Sequence, residues 1–285
     1  MKIALSVSTK PNHQTDTLLA AAKRRGHQMD VITIRELVLN EIESHPIFTY
    51  DKIYWRVNHI SPRVRSLIGM TAKKLGIPFV NRSYFMHPML GHKVYQTAKV
   101  VTDLDIDTPR SFVLGYGGQE GFDKISETLN LPFIVKPSIG GRGESVALIK
   151  SFGEFEDYMK DHNITKLVFQ EYIQNDGDYR IIVVGGKAVG AFKRIPAEGD
   201  FRANISQAGS GEIVKNGNIL TRLYEIAETT ADLFQVDVTG VDVIVNADKY
   251  YFLEINTIPQ WEGFQGTTGI DIAEKIIQFL EIFNG

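Results

Sequence analysis

Cysteine is absent from the chain. That excludes disulfides, thiolate metal sites and a cysteine nucleophile, and it fits a reducing compartment such as the cytoplasm. No apolar run approaches the roughly 20 residues that cross a bilayer. The opening segment MKIALSVSTK lacks the long apolar core of a signal peptide and reads as a first strand. Charge of one sign is also missing. The net charge is −3 with no long single-sign run, so bulk charge gives no support for a nucleic-acid partner. The seven histidines show no metal-ligand spacing; His87 and His92 flank a Pro-Met-Leu-Gly turn and read as structural or surface residues. No Ser-His-Asp arrangement can be assembled. Two nucleotide signatures are missing as well. The first strand-to-helix junction, SVSTKPNHQ, has no G-x-G-x-x-G, and no G-x-x-x-x-G-K-[ST] occurs.

What is present is an ordinary globular composition, 43% hydrophobic and 23% charged over 285 residues. That length suits two or three subdomains with shared interfaces. Strands at 2–8, MDVITI, KIYWRV (52–57) and PFVN alternate with helical patterns ending at Gly26 and covering 61–75. Such alternation predicts a parallel sheet with helices packed on it. Near residue 88 the pattern changes. A helix at 89–103 carries Lys93; PRSFVLG, a helix around 119–129, PFIVKP, SVALIK, a helix at 151–162 and KLVFQEYI follow. From about 176, DYRIIVVGG and KAVGAFKRI read as a hairpin turning at Gly185-Gly186. A helix at 218–234, a second hairpin and a helix at 269–283 complete the chain. The division is 1–88, 89–175 and 176–285.

The second hairpin, GVDVIVNADKYYFLEINTIP (240–259), carries the strongest chemical signal. Residues two apart on a strand share a face, so Glu254 and Asn256 lie together, and the hairpin brings Asp242 beside them. Two carboxylates and an amide oxygen among apolar strands are costly to bury uncompensated. A hard cation such as Mg²⁺ compensates them and leaves positions for water and phosphate. The plainer alternative is an edge hairpin whose polar residues face water.

Lys136 ends the apolar strand Phe133-Ile134-Val135, ahead of Gly140, Gly141 and Gly143. Such a loop can bring backbone N–H groups close to phosphate oxygens, and the lysine adds a point charge. The alternative is a flexible loop with an exposed lysine. Glu171, Tyr172 and Asp178 lie at a strand exit that suits a purine edge and a ribose diol, or is a plain polar turn. Arg180, two positions after Asp178, faces the same way. Arg194, Arg202 and Asn204 offer guanidinium and amide groups for phosphates, or are solvated surface residues.

Taken in order, PFIVKPSIGGRG, LVFQEYI, GDYRIIVVGGKAVGAF, RIPAEGDFRANISQAG, GVDVI, LEINTIP and TTGIDIA resemble the ATP-grasp superfamily, and within it the RimK-type ligases. The resemblance covers nearly the whole chain and is strongest over 132–273. It implies an ATP-grasp fold, α/β and α+β: a Rossmann-like N-terminal domain and two α+β subdomains that clamp ATP. It implies an ADP-forming ligase that activates a carboxylate as an acyl phosphate and joins it to an amine, with an amino acid such as glutamate as one substrate. Lys93 and Lys136 match phosphate-contacting lysines, and Gly140 and Gly141 match a lid. Glu171 and Tyr172 match adenine contacts, Asp178 a ribose contact, and Arg202, Ala203 and Asn204 a triphosphate segment. Asp242, Glu254 and Asn256 match ligands for two Mg²⁺ ions, with Mn²⁺ able to substitute. Arg194, with Lys136, matches a catalytic charge at the transferred phosphate. The acceptor is a small molecule, peptide or carrier protein, and the assembly a homodimer or homotetramer. Segments 48–61 (FTYDKIYWRVNHIS) and 84–92 (YFMHPMLGH) depart from the family pattern, so its ribosomal-protein substrate does not carry over. A non-catalytic ATP-binding module and a kinase-like phosphotransferase are the other readings of this scaffold.

Overall fold

The computed structural model describes residues 1–7, 12–34, 37–57, 61–140, 145–197, 210–215 and 217–285. Strands β1 (Lys2–Val7), β2 (Gln28–Ile32), β3 (Lys52–Arg56) and β4 (Phe79–Val80) form a parallel sheet of order β2-β1-β3-β4. Helices α1 (His13–Arg24) and α2 (Pro62–Lys74) are its crossovers, followed by the short α3 (Ser83–Met86). The side chain of Asn12 accepts from the Thr15 N–H and starts α1; Pro62 stands in the first turn of α2. Strand β3 is buried at every position, as expected of a central parallel strand covered on both faces.

Helix α4 (Lys93–Asp103) leads to a second, antiparallel sheet. The expected helix at 89–103 therefore begins only at Lys93, because Met89–Leu90 are occupied by turn hydrogen bonds. Next come β5 (Ser111–Phe112), α5 (Gly118–Leu129), β6 (Phe133–Pro137), β7 (Ala147–Ile149), α6 (Phe152–Met159) and β8 (Leu167–Glu171), in sheet order β5-β8-β6-β7. Phe133, Val135, Leu167 and Phe169 point toward Phe122, Ile125 and Phe155 of the two helices. Ile134, Lys136, Val168 and Gln170 therefore share the opposite, helix-free face.

The third sheet has the order β11-β10-β9-β12-β13 and is antiparallel throughout. Its members are β9 (Asp178–Val184), β10 (Lys187–Ile195), β11 (Ser210–Ile213), then α7 (Asn218–Leu233), β12 (Val238–Asn246) and β13 (Lys249–Asn256). Gly185 and Gly186 adopt φ of 61° and 75°, the left-handed pair that a two-residue hairpin turn requires. Helices α8 (Glu262–Thr268) and α9 (Ile272–Ile282) follow. Helix α8 was not expected from the sequence. EGFQGTT has two glycines and two threonines, all weak helix formers; Phe264 holds it by an edge-on contact with Phe192 at 5.4 Å.

One core joins the first and third sheets. Ile3, Leu5 and Tyr54 pack with Ile182, Phe192, Val238, Trp261 and α9. The other face of the third sheet packs on α7 through Ile181, Val183, Val241 and Val243. Along the shared face, β9 reads Asp178, Arg180, Ile182, Val184. Its apolar half is covered by the N-terminal sheet, and its polar half projects beyond that cover.

Candidate active site

The polar half of that face forms a row of charges fixed by strand register. Arg194 pairs with Asp178 across β10 and β9, Arg180 with Asp242 across β9 and β12, and Asp242 with Glu254 across β12 and β13. Cross-strand partners lie about 5 Å apart at Cβ, so ion pairs form without long reaches. Arg180 Nε donates to Asp242 Oδ1 at 2.8 Å and Nη2 to Oδ2 at 2.6 Å. Arg194 Nη2 reaches the same Oδ2 at 2.9 Å, and its fork holds Asp178 at 2.5 and 2.8 Å. Asp242 is 2% exposed. Burial alone would raise its pKa; the Arg180 and Arg194 charges outweigh burial and hold it at about 2. Arg180, absent from the set expected of the site, is thus a central member. Its spacing from Asp178 was the available signal.

Glu254 lies beyond Asp242, and Lys93 approaches its Oε2 at 3.2 Å. Lys93 also donates to the carbonyl of Gly140 at 2.5 Å, which ties the first turn of α4 to the start of the glycine-rich loop. A residue that sequence reasoning missed sets this geometry. Gln96, three positions along the same helix face, is buried; it accepts from the Ile255 N–H at 3.0 Å and donates to the Ile255 carbonyl at 3.1 Å. Helix α4 is thereby docked on the open edge of β13, with Lys93 opposite Glu254. Only a three-dimensional contact reveals this role for a glutamine.

Lys136 descends from the helix-free face of the second sheet. Its Nζ donates to Gln170 Oε1 at 2.9 Å, and Gln170 in turn donates to Ser111 Oγ at 2.9 Å. Burial pushes the ammonium down to about 8, partly offset by the Glu254 and Asp242 charges and reinforced by Lys93. At the end of β8, Glu171 is held by Arg110 Nε at 2.7 Å. A cleft of about 620 Å³ opens next to it, lined by Tyr172, Ile173 and Gln174 on one side and by Asn246–Lys249 and Tyr251 on the other.

Lys93, Lys136, Gly140, Asp178, Arg194, Asp242, Glu254 and Asn256 are thus brought to one region, with Glu171 and Tyr172 at its cleft end. Asp178 differs from expectation in its surroundings. It is buried against Arg194 in the ion row rather than standing at an open strand exit. Gly141, Arg202, Ala203 and Asn204 lie outside the described residues.

The oxygens fit a hard cation. Among the described residues Glu254 has Lys93 as its single partner, which leaves Oε1 open. Asp242 Oδ1 accepts one N–H, and Asn256 Oδ1 accepts one, from Ile258 at 3.0 Å, so each keeps a lone pair. Among the described residues no group of three or more acids or histidines is placed to hold a metal ion by itself. Two carboxylates and an amide suit an ion that retains water and phosphate in its remaining positions.

Comparison with known proteins matches this arrangement. A family model described as RimK-like ATP-grasp domain matches residues 91–280. A probable alpha-L-glutamate ligase of Parasynechococcus marenigrum is 29% identical over 99% of this chain; the chain spans 62% of that relative's length. A relative of the same name from Aeromonas salmonicida is 28% identical over 99% of this chain and 97% of its own. Among solved structures, the ATP-grasp ligase PsnB complexed with minimal precursor, Mg and ADP superposes with a TM-score of 0.76 at 18% identity, covering 99% and 97% of the two chains. D-alanine–D-alanine ligase of Bacillus anthracis gives 0.72 at 18% identity over 100% and 97%. Two sheets facing each other across lysines and acids, in the order a family model spans for two thirds of its length, place this chain in the RimK-like ATP-grasp family.

Proposed function

We propose that this protein is an ATP-dependent carboxylate–amine ligase that joins an amino acid, glutamate in the first instance, to a carboxylate acceptor. The observation that carries the proposal is the opposition of two lysines, Lys136 and Lys93, to the Asp242–Glu254 end of the charged row, beside the Tyr172 cleft. Family membership supports the ligase chemistry, and the names of the two relatives support glutamate.

In this reading the base lies in the Tyr172 cleft and the phosphates run toward Lys136 and Lys93. A substrate carboxylate oxygen attacks the γ-phosphorus and ADP leaves. The amine then attacks the acyl carbon, loses a proton and expels phosphate. Phosphoryl transfer of this kind needs alignment and neutralised charge more than covalent help. Arg194 lies in the ion row, positioned to shift from Asp242 toward the transferred oxygens. Asp242, Glu254 and Asn256 would hold Mg²⁺, as two ions, which neutralises phosphate charge when bound. Arg202, Ala203 and Asn204 are proposed as phosphate contacts, and Gly140 and Gly141 as the lid that keeps water from the acyl phosphate. The division at residues 88 and 175 belongs to the same proposal, supported by one sheet falling in each part. Among the described residues no helix is long and apolar enough to cross a membrane.

The test is a product screen by mass spectrometry with ATP, Mg²⁺, pooled amino acids and pooled carboxylate acceptors. The expected product is one amino acid heavier, less water, with ADP released only when both substrates are present. Glu254→Gln should lower turnover by about 10²–10³-fold, the usual scale for losing one electrostatic stabiliser. A stable phosphorylated product with no amide would overturn the ligase reading. ATP binding without turnover across the panel would do the same.

A further inference from the structure

Arg56 is buried, with 8% of its surface exposed, yet among the described residues no carboxylate pairs with it. Arginine is seldom buried without an anion, because its charge must be stripped of water. Its guanidinium donates to the Tyr54 hydroxyl at 3.2 Å and to the Pro259 carbonyl at 3.2 Å. It also lies over the Trp261 ring, 4.5 Å from the centroid. These neutral partners fix its orientation, and among the described residues none compensates its charge. The nearby acid, Asp237, which directly precedes β12, is already engaged by the N–H groups of Asn81 and Arg82 and by the Arg82 guanidinium. Trp261 adds a second unmet need: its indole Nε1 is buried and has no acceptor among the described residues.

The position of Arg56 is equally telling. It ends β3, and β1 and β3 are adjacent strands whose crossovers run to opposite sides of the sheet order β2-β1-β3-β4. The crevice beyond the carboxyl ends of such strands is where open parallel sheets bind ligands. Arg56 shares with Tyr54 the face turned toward the third sheet. Pro259 connects it to the ion row: a side chain placed at Gly240 would meet Pro259 Cβ at 3.4 Å and Arg180 Cδ at 3.6 Å. Pro259 is three residues beyond Asn256, a reach of at most about 10 Å. Arg56 thus stands beside the reaction site without belonging to its row of charges.

We infer that Arg56, stacked on Trp261, anchors a non-reacting carboxylate of the acid or amino-acid substrate. This rests on the ligase reading above and extends it to a substrate group. A planar guanidinium fork matches a carboxylate in two bonds and, being pre-oriented by Tyr54 and Pro259, loses little freedom on binding. Anchoring the remote end of the substrate presents its reactive end to the γ-phosphate or the acyl carbon.

The test is calorimetric titration of the whole protein, with Mg²⁺ and a non-hydrolysable ATP analogue present. The probes are L-glutamate and glutarate, each compared with its diamide. The acids should bind at least tenfold more tightly than the diamides. Arg56→Gln should erase that preference, and Arg56→Lys should restore part of it. The nucleotide affinity of both variants should stay within twofold of the parent. Equal binding of acid and diamide by the parent protein would overturn the inference with no variant needed. Full acid affinity in folded Arg56→Gln would overturn it too. The two readings fail separately. Ligation that proceeds with an unchanged substrate KM in Arg56→Gln sinks this inference alone. Acid binding that depends on Arg56 in a protein that ligates nothing sinks the ligase reading alone.

Discussion

In the proposed ATP site, Lys136 is the residue whose state most directly sets affinity for nucleotide. Buried under the second sheet and balanced only in part by Glu254 and Asp242, it is pushed down to about 8. Its positive charge is present below that value and lost as pH rises through it. ATP affinity of the nucleotide-free protein should therefore fall between pH 7 and 9.5, with the break near 8. Lys136→Met should bind more weakly and lose the break; a parent profile flat through pH 8 would refute the assignment. The lysine was legible in the sequence because a charged residue ends an apolar strand ahead of three glycines. Gln170, which accepts a hydrogen bond from it, and Gln96, which positions Lys93, were not. Nothing local distinguishes a glutamine that bonds across elements from one on the surface, and their partners are 34 and 159 residues away.

The charged row is a property of strands. Register between β9, β10 and β12 places Asp178, Arg194, Arg180 and Asp242 side by side, so the row moves only if a strand moves. Gly177 controls that register at its entry. Its φ is 139°, and a Cβ there would collide with the backbone carbonyl of Arg194. Gly177→Ala should therefore displace β10 at Arg194, cost about 1–3 kcal/mol of stability and lower kcat beyond what stability explains. Full kcat in the folded variant would show that the row tolerates a shift. The hairpins were readable because glycine pairs and period-two alternation are local signals. Helix α8 was not, since its weak helix formers are held by Phe264 against another strand.

At the scale of the molecule, the first and third sheets are joined by a polar clasp as well as by the shared core. Asn81 donates its N–H to Asp237 at 2.6 Å, accepts from the Val238 N–H at 2.9 Å and reaches the Thr257 carbonyl at 3.4 Å. It does so from φ of 70°, which asparagine tolerates and alanine does not. Asn81→Ala should lower stability by about 1–3 kcal/mol, mainly through the orphaned Val238 N–H, which loses its side-chain acceptor, as read by denaturant unfolding. No change would mean that the apolar core alone docks the sheets. The parallel sheet itself was foreseeable from alternation of strand and helix. Its docking was not, because Asn81 and Asp237 are 156 residues apart and each reads locally as a polar turn.

Lys93 bonds at once to Gly140 and to Glu254, and so sets an ammonium against the carboxylate proposed to hold a cation. This gives the site an order of loading. If Glu254 holds Mg²⁺ as proposed, the bare ion would have to displace an ammonium that is already paired with it, whereas a nucleotide's phosphates would draw that ammonium away and leave Glu254 open. Mg²⁺ titrated alone should therefore bind at least tenfold more weakly than in the presence of ADP, and Lys93→Met should narrow the gap. Equal affinities would refute the order. On the proposed assignment a built-in counter-ion of this kind would make the metal a passenger of the nucleotide.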